Sequence, residues 1–494
     1  MMLTFRRVTA ASLAALFACS ATLAQDSVPT SVPEASTAAA PELTLEQCIA
    51  RALQKNFDLE AGRYGPQIAA DSIIVAKGAY EPFLSVSGAT GEGSTPGRDT
   101  KSSNLRAGVS QRLYTGTTVS ASSRLDRSSS DPAAIALNPA YDADLTLSVR
   151  QSLLSGAGVG VNRATVKRAE IGVQRANLDY KSQVLNVIED TENAYYDLAY
   201  AREQLAVRNF SLTLAQRLYD EAKTRRDTGV ATDLDVLQAE VGVANARRGV
   251  ILAEQAVKDR QDSLLSLIGQ FELDAPLGTV RFAEIPNATP VFASSFQMAK
   301  HNQPDFLSAQ AAIEQLRLDL KLAKDAARPD LTVGAAVGLN GTNGSGRDAF
   351  TDAFDRQGHS WQVDFSFDYP WGLRAEKARE RQSLAALNRE QTRLRQTEQF
   401  IELQVRSAVR AVETNLESVK IATLASALSQ KQYELEKAKF DAGLSTSRRV
   451  LEAQDDLETA RVSELQAKAT LHSAVAALHR IEGSSLQRYA VELP

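Results

Sequence analysis

At 494 residues, with 55 Lys and Arg against 60 Asp and Glu and a formal net charge of −5, the chain could hold several ordinary domains. Its mixed-sign charge excludes the basic stripe of a nucleic-acid binder, and its two cysteines exclude a disulfide framework. Pro and Gly are scarce through long runs of Ala, Leu, Glu, Gln, Lys and Arg, the composition of long helices rather than of many small cores.

Residues 1–24 read as a secretory signal, with Arg6 and Arg7 as the positive segment, Val8 to Phe17 as the apolar core and Thr22-Leu23-Ala24 as the cleavage site. The apolar run is too short to span a bilayer as a helix. Leu16-Phe17-Ala18-Cys19 also resembles a lipoprotein box, in which Cys19 would be lipidated, although Phe17 fits that box poorly. Residues 25–43 form a Pro/Ser/Ala linker with no periodic apolar face, expected to be disordered. Thr44 with Gln47 makes a capping box that opens a helical region to about Gly78, interrupted at Asn56-Phe57-Asp58.

From Pro82 the period changes from helical to two. Leu84 and Val86 start the first alternating run, and further runs follow at 104–114, 117–126 and 143–153, separated by Gly/Ser/Pro-rich stretches. A proline-free segment from about Asn162 to Thr228 predicts a helix of roughly 100 Å. Ala194, Leu198, Ala201, Leu205, Leu212, Ala215, Tyr219 and Ala222 form its heptad seam, small residues alternating with large. The return helix, from about Thr232 to Leu267, is only about half as long. The missing half is supplied by the helical region 44–80, stacked end to end on it. Residues 270–293 are an irregular connector at mid-length.

The second half repeats this plan over 294–483, before a tail at 484–494. Helical residues 294–327 lead to alternating runs at 330–339 and 360–369, then a long helix from about Arg374 to Ala442 and a return helix at 446–481. The run 360–369 is the clearest strand, with Trp361, Val363, Phe365, Phe367 and Tyr369 on one face and Gln362, Asp364, Ser366 and Asp368 on the other. No apolar helix is free to cover that face, so lipid is its natural neighbour. Tyr369 and Trp371 at the strand end suit an aromatic girdle.

Two sets of matches make the halves explicit. Tyr219, Gly229, Leu237 and Ala239 align with Tyr433, Gly443, Leu451 and Ala453. Ala76, Lys77, Pro82, Leu84 and Val86 align with Ala323, Lys324, Pro329, Leu331 and Val333. The second spacing is the longer, so the first half carries extra chain between its Pro and its long helix. At Gly229 and Gly443 a helix ends and, after a hydroxyl step, restarts. No nucleophile–base constellation emerges. His472 and His479, a heptad apart on one helix, read as helix face rather than as the closer-spaced ligands of a metal site. No catalytic, cofactor-binding or metal-binding residue is therefore assigned, and no cofactor is expected.

The two halves, the Ala-Lys…Pro helix-to-strand junctions and the tip repeats, above all DTGVATDLDVLQAE, resemble TolC-type outer-membrane efflux proteins over about residues 44–483. The resemblance implies an α+β membrane protein. Three protomers form one tube, a β-barrel in the outer membrane and a long α-helical coiled-coil barrel through the periplasm. Its far end docks on a periplasmic adaptor (membrane fusion) protein of an inner-membrane pump, as the exit duct of efflux or type I secretion and not as an enzyme. The implied docking tips are Gly229, Val230 and Ala231 with Gly443, Leu444 and Ser445. The implied periplasmic gate is Asp235, Arg449 and Glu452, where the family commonly has acids, so that Arg449 puts a base in place of one.

Independently, the few strands of one chain cannot close a barrel, since spanning barrels need at least about eight, and open edges are not tolerated in lipid. Several chains must share one. The hairpin at about 104–126 exceeds the family's two strands per half; it either enlarges the barrel or sits outside it. The rival architecture, a periplasmic coiled-coil scaffold without channel activity, accounts for the heptads but not for the strand at 361–369.

Overall fold

The structure, a computed structural model, describes residues 43–133, 136–269, 277–284, 289–356 and 358–491. The expected signal, Cys19 and nearly all of the linker lie outside the described residues, as does part of the mid-length connector.

In chain order the described elements are helices α1 (Leu45–Lys55), α2 (Phe57–Gly62) and α3 (Tyr64–Gly78), then strands β1 (Phe83–Thr95), β2 (Arg98–Arg112), β3 (Thr117–Asp131) and β4 (Ala140–Ser152). The short α4 (Val159–Asn162) precedes α5 (Ala164–Asp227) and α6 (Asp233–Leu267). The second half holds α7 (Phe292–Asn302), α8 (Pro304–Ala326), β5 (Asp330–Asn343), α9 (Gly346–Phe354), β6 (Gly358–Asp368), α10 (Arg374–Asp441), α11 (Ser447–Glu482) and α12 (Ser485–Arg488). The break expected near Asn56 falls there. The Asn56 side chain accepts from the backbone N–H groups of Asp58 and Leu59 and so caps α2.

Two helices set the length of the molecule. α5 has 64 residues and α10 has 68, each about 100 Å long at 1.5 Å per residue. Each is backed by two shorter lines of helix meeting end to end. Asn56 at the start of α2 donates its side-chain N–H to Leu267 O at the end of α6, 3.0 Å away. Gly269 follows with φ 70°, and a Cβ there would lie 2.0 Å from Lys55 O. In the other half Gly483 has φ 66°, and its Cβ would lie 2.9 Å from Asn302 Cβ. Gly269 and Gly483 are at matching positions of the repeat, so each joint closes only because a side chain is missing.

The core is a string of clusters along the helices rather than one globule. Around the mid-length joint, Cys48, Ile49, Leu59, Val184, Ile188, Leu198, Leu264 and Leu265 pack together. A second cluster gathers Ile401, Val405, Val412, Leu471 and Leu478 between α10 and α11. Of the expected heptad positions, Leu198, Ala201, Ala215 and Ala222 are buried, and Leu214 and Leu218 join them. Cys48 is a free, buried thiol.

All six alternating runs become strands of a single antiparallel sheet in the order β1-β2-β3-β4-β5-β6. The hairpin expected to be additional is thus part of the sheet, as β2 and β3. Long connections enter the sheet from helices at one end; at the other lie the β1–β2 turn, the segment after β3, and α9. Ser345 caps α9 by accepting from Asp348 N–H. α9 packs so closely on β5 that a Cβ at Gly341 would lie 2.1 Å from Ala349 O.

Candidate functional site

The sheet sorts its side chains by face. Following the strand register, Leu84, Val109, Ala121, Leu147, Val337 and Trp361 form one cross-strand row on the same side. Val86, Leu105, Leu125, Leu145, Val149, Leu331, Val363, Phe365 and Phe367 share that side. Most of these side chains are uncovered, Trp361 being 76% exposed and Phe365 79% exposed, while Leu331 is half-buried and Leu125 lies against Gly346 at the start of α9. Tyr369 stacks near Phe367 at 6.4 Å, and Trp371 stands free just beyond the strand. Among the described residues no helix is long and apolar enough to cross a membrane.

The opposite face is polar and cross-linked. Arg124 donates to Asp144 at 2.8 Å and lies 3.1 Å from Asp126. Asn340 donates to Asp144 at 2.6 Å, Thr342 to Asp142 at 2.7 Å, and Arg150 lies 3.6 Å from Asp364. One apolar and one polar face, alternating residue by residue, is how a sheet between lipid and water is built.

At the far end of the long helices are two tips of matching construction. After α5, the Gly229 N–H donates to Arg226 O at 2.9 Å and the Val230 N–H to Arg225 O at 2.8 Å. After α10, the Gly443 N–H donates to Phe440 O at 2.9 Å and the Leu444 N–H to Lys439 O at 2.8 Å. This pair of bonds defines the Schellman ending, which needs a left-handed residue. Gly229 has φ 78° and Gly443 φ 76°. Val230 and Leu444 stand out from these turns, 77% and 79% exposed. Ala231 and Ser445, half-buried, complete the two turns.

The restarts differ. Thr232 caps α6, and Asp235 completes a capping box by accepting from the Thr232 backbone N–H at 2.9 Å and its hydroxyl at 2.7 Å. Those Thr232 donors hold the Asp235 carboxyl below the usual range. In the second tip Arg449 occupies the position of Asp235, and Thr446 makes no side-chain cap bond. The Ser447 hydroxyl of α11 instead donates to Asp235 at 3.4 Å, so the acid of one tip serves both. Ser445 donates to Glu436, which with Lys439 at 3.1 Å lowers that carboxyl below its usual range.

Of the three residues expected at the gate, Asp235 and Glu452 have separate partners within the chain. Glu452 pairs with Arg448 at 2.9 Å across one helical turn. Both spacings permit contact; the i, i+4 pair is the one formed, and Arg449 is exposed. Asp235 is held by the capping box.

A mid-length cluster was not legible in the sequence. His472, read as helix face, is buried against Tyr196 at 4.1 Å between ring centres, with Phe282 at 5.8 Å. Burial pushes its pKa down to about 4. Nearby, Tyr489 after α12 donates to the buried Glu192, whose pKa burial raises. Phe282 and Tyr489 come from irregular segments, where periodicity carries no signal. Among the described residues no group of His, Cys, Asp and Glu could hold a metal ion.

Comparison with known proteins agrees with this construction. The family model described as outer membrane efflux protein matches residues 118–270 and 296–484, one segment in each half. The chain is 25% identical over 375 residues to the pyoverdine export outer membrane protein OpmQ of Pseudomonas putida, covering 74% of this chain and 75% of that one. It is 24% identical over 442 residues to the outer membrane efflux protein BepC of Brucella suis, covering 89% and 84%. Among solved structures, the outer-membrane channel OprN superposes with a TM-score of 0.67 at 18% identity, over 89% of each chain. The Campylobacter jejuni CmeC outer membrane channel gives 0.66 at 15% identity, over 91% and 90%. The family match takes in four of the six strands, all four long helices and both glycine tips, and on it the chain belongs to the outer membrane efflux protein family.

Proposed function

We propose that three copies of this chain form one continuous duct from the periplasm through the outer membrane, the exit channel of a tripartite efflux pump or type I secretion system. The apolar face bearing Trp361, Val363, Phe365, Phe367 and Tyr369 meets outer-membrane lipid. The polar face carrying Arg124, Asp144 and Asp364 lines the water-filled interior. The uncovered apolar face carries this reading: in water it would be an aggregation site, and lipid removes that cost. A coiled-coil scaffold has no use for it.

The helices then run about 100 Å inward, and the two Schellman tips face a periplasmic adaptor bound to its inner-membrane pump. Val230 and Leu444 are the apolar contacts offered to the adaptor, and Ala231 and Ser445 flank them. Asp235, Arg449 and Glu452, one turn behind the tips, set the charge of the periplasmic opening. The duct performs no chemistry; energy and cargo selection belong to the pump.

Native mass spectrometry of detergent-extracted protein is the direct test, and a trimer is the expected result. A stable monomer would leave strand edges unpaired in lipid and overturn the reading. Loss of dye efflux on deleting the chain, restored by the wild type, tests the transport role.

A further inference from the structure

The sheet of one chain ends in two open edges. Among the described residues β1 is hydrogen-bonded only to β2, and β6 only to β5. With six strands in a meander, β6 runs opposite to β1, which is the polarity needed for β6 of one copy to pair with β1 of the next. We propose that these edges are the self-association surface of the chain, and that three copies close a barrel of eighteen strands. The proposal rests on the trimeric duct described above and deepens it.

Three observations place β2 and β3 in the barrel wall rather than outside it. The apolar face is continuous across them: Leu105 and Val109 on β2 and Val119, Ala121 and Leu125 on β3 lie between Leu84 and Leu147 on the same side. The stagger is also that of a barrel. Phe83, the first residue of β1, is carried by the ladder through Ser110, Ser120, Ser148 and Ala336 to Gln362, six residues short of Asp368 at the end of β6. A slip of about one residue per strand tilts strands by about 35–40°, inside the range of membrane barrels.

The third observation is the base of the added hairpin. Its turn, residues 113–116, is fixed to the helix junctions by the buried Asn162. That side chain donates to Gly156 O at 2.8 Å and Gly158 O at 3.0 Å and accepts from Arg112 at 2.8 Å. Its backbone carbonyl accepts from the Tyr80 hydroxyl. Tyr114 lies 4.3 Å from the Tyr80 ring, and the Gly158 N–H donates to Thr115 O at 3.1 Å. A hairpin pinned between the end of α3 and the start of α5 is held in register with the wall.

Eighteen strands about 4.8 Å apart at that tilt enclose a barrel about 35 Å across between backbones, half again as wide as two strands per half would give. The outer-membrane section is then an open pore, and the size limit on cargo lies at the helical tips.

Cryo-electron microscopy of the full chain in lipid nanodiscs should resolve eighteen strands in a threefold barrel. Pairing Ser87→Cys on β1 with Gln362→Cys, Asp364→Cys or Ser366→Cys on β6 puts both thiols on the polar face near the proposed seam. At least one pair should give covalent trimers on non-reducing gels. Fewer strands with residues 98–131 outside the wall would overturn the proposal, as would failure of all three pairs to cross-link. Native mass separates the two levels: a trimer with fewer strands removes only the wide barrel, whereas a monomer removes the duct as well.

Discussion

Arg225 of α5 sits over the Phe440 ring of α10, its guanidinium carbon 3.9 Å from the ring centre, and donates two N–H bonds of 3.1 Å to the Phe440 carbonyl. Phe440 is in the last turn of α10, where unpaired carbonyls collect and a cation is favoured. Glu221, one turn back at 2.7 Å, holds the guanidinium from the other side. The two tips of one chain are thereby joined through a single side chain.

Arg225→Ala removes a cation–π contact and charge-assisted hydrogen bonds, about 2 kcal/mol together. Amide exchange over residues 438–446 should accelerate by roughly 10-fold or more, with little change at mid-length. Arg225→Lys should restore only part of the protection, since an ammonium cannot stack and fork as a guanidinium does. Unchanged exchange in Arg225→Ala would show that the apolar cluster and the Ser447–Asp235 bond hold the tips together without Arg225.

Gly443→Leu places a side chain at φ 76°, a strain of about 1–2 kcal/mol. No neighbouring atom lies within 4 Å of the Cβ position, so the cost is conformational and confined to the turn. Trimers should form normally while efflux falls by at least 10-fold. Full efflux by this variant would remove the tip from the docking surface.

Charge at the periplasmic opening can be read electrically. Arg449→Ala removes an exposed cation and should move the reversal potential in planar bilayers under a salt gradient towards cation preference. Glu452→Gln releases Arg448, its partner at 2.9 Å, and should move it towards anions. Asp235→Asn has a second effect, since the capping box and the Ser447 link weaken together at about 1 kcal/mol. Reversal potentials that ignore all three changes would place these side chains away from the narrow part of the duct.

His472 gives a pH dependence with a defined sign. Its folded pKa is about 4 against about 6.5 for an exposed histidine. The neutral ring therefore stabilises the fold fully above about pH 6.5, and that stability drains away as pH falls towards 4. His472→Phe keeps the stacking on Tyr196 without a titrating group. Between pH 7.5 and 5 the wild type should lose more thermal stability than this variant, by on the order of 1–2 kcal/mol. Taking the difference between the two proteins cancels the opposite contribution of Glu192, whose raised pKa favours acid. Parallel losses would take His472 out of the acid response.

On the sheet, Phe365→Lys should cost about 2–4 kcal/mol per chain and deplete the outer-membrane trimer, as a lysine in the lipid band does. Ser366→Lys, one residue on and facing the interior, should assemble as wild type and change conductance only. Equal assembly of both variants would contradict the assignment of faces.

Much of this molecule is written in periodicity. Alternation located all six strands, including β2 and β3, and the matched glycines located both tips, because left-handed helix endings have few alternatives to Gly. What escaped has physical reasons. α9 hides in GRDAFTDAF, a polar stretch whose two buried residues, Ala349 and Ala353, are too small to signal a core. The burial of His472 depends on Phe282, which no repeat predicts. Arg449 and Glu452 share a spacing that permits contact, but Arg448 sits at the better one. The reach of β1 and β2 beyond the apolar band, through Thr90 and Ser103 at 2.9 Å, is polar on both faces and reads as loop.

The unequal capping of the two restarts also bears on the geometry of any partner. α6 opens with Asp233 and Asp235, α11 with Arg448 and Arg449. Around a threefold axis the six tips repeat as acid, base, acid, base, so backbone pseudo-sixfold symmetry is broken to threefold by charge. A ring of identical adaptor subunits cannot meet all six in one way. It either binds at every second tip or adopts two alternating modes, and the charge order fixes the rotational phase in which adaptor and duct lock together.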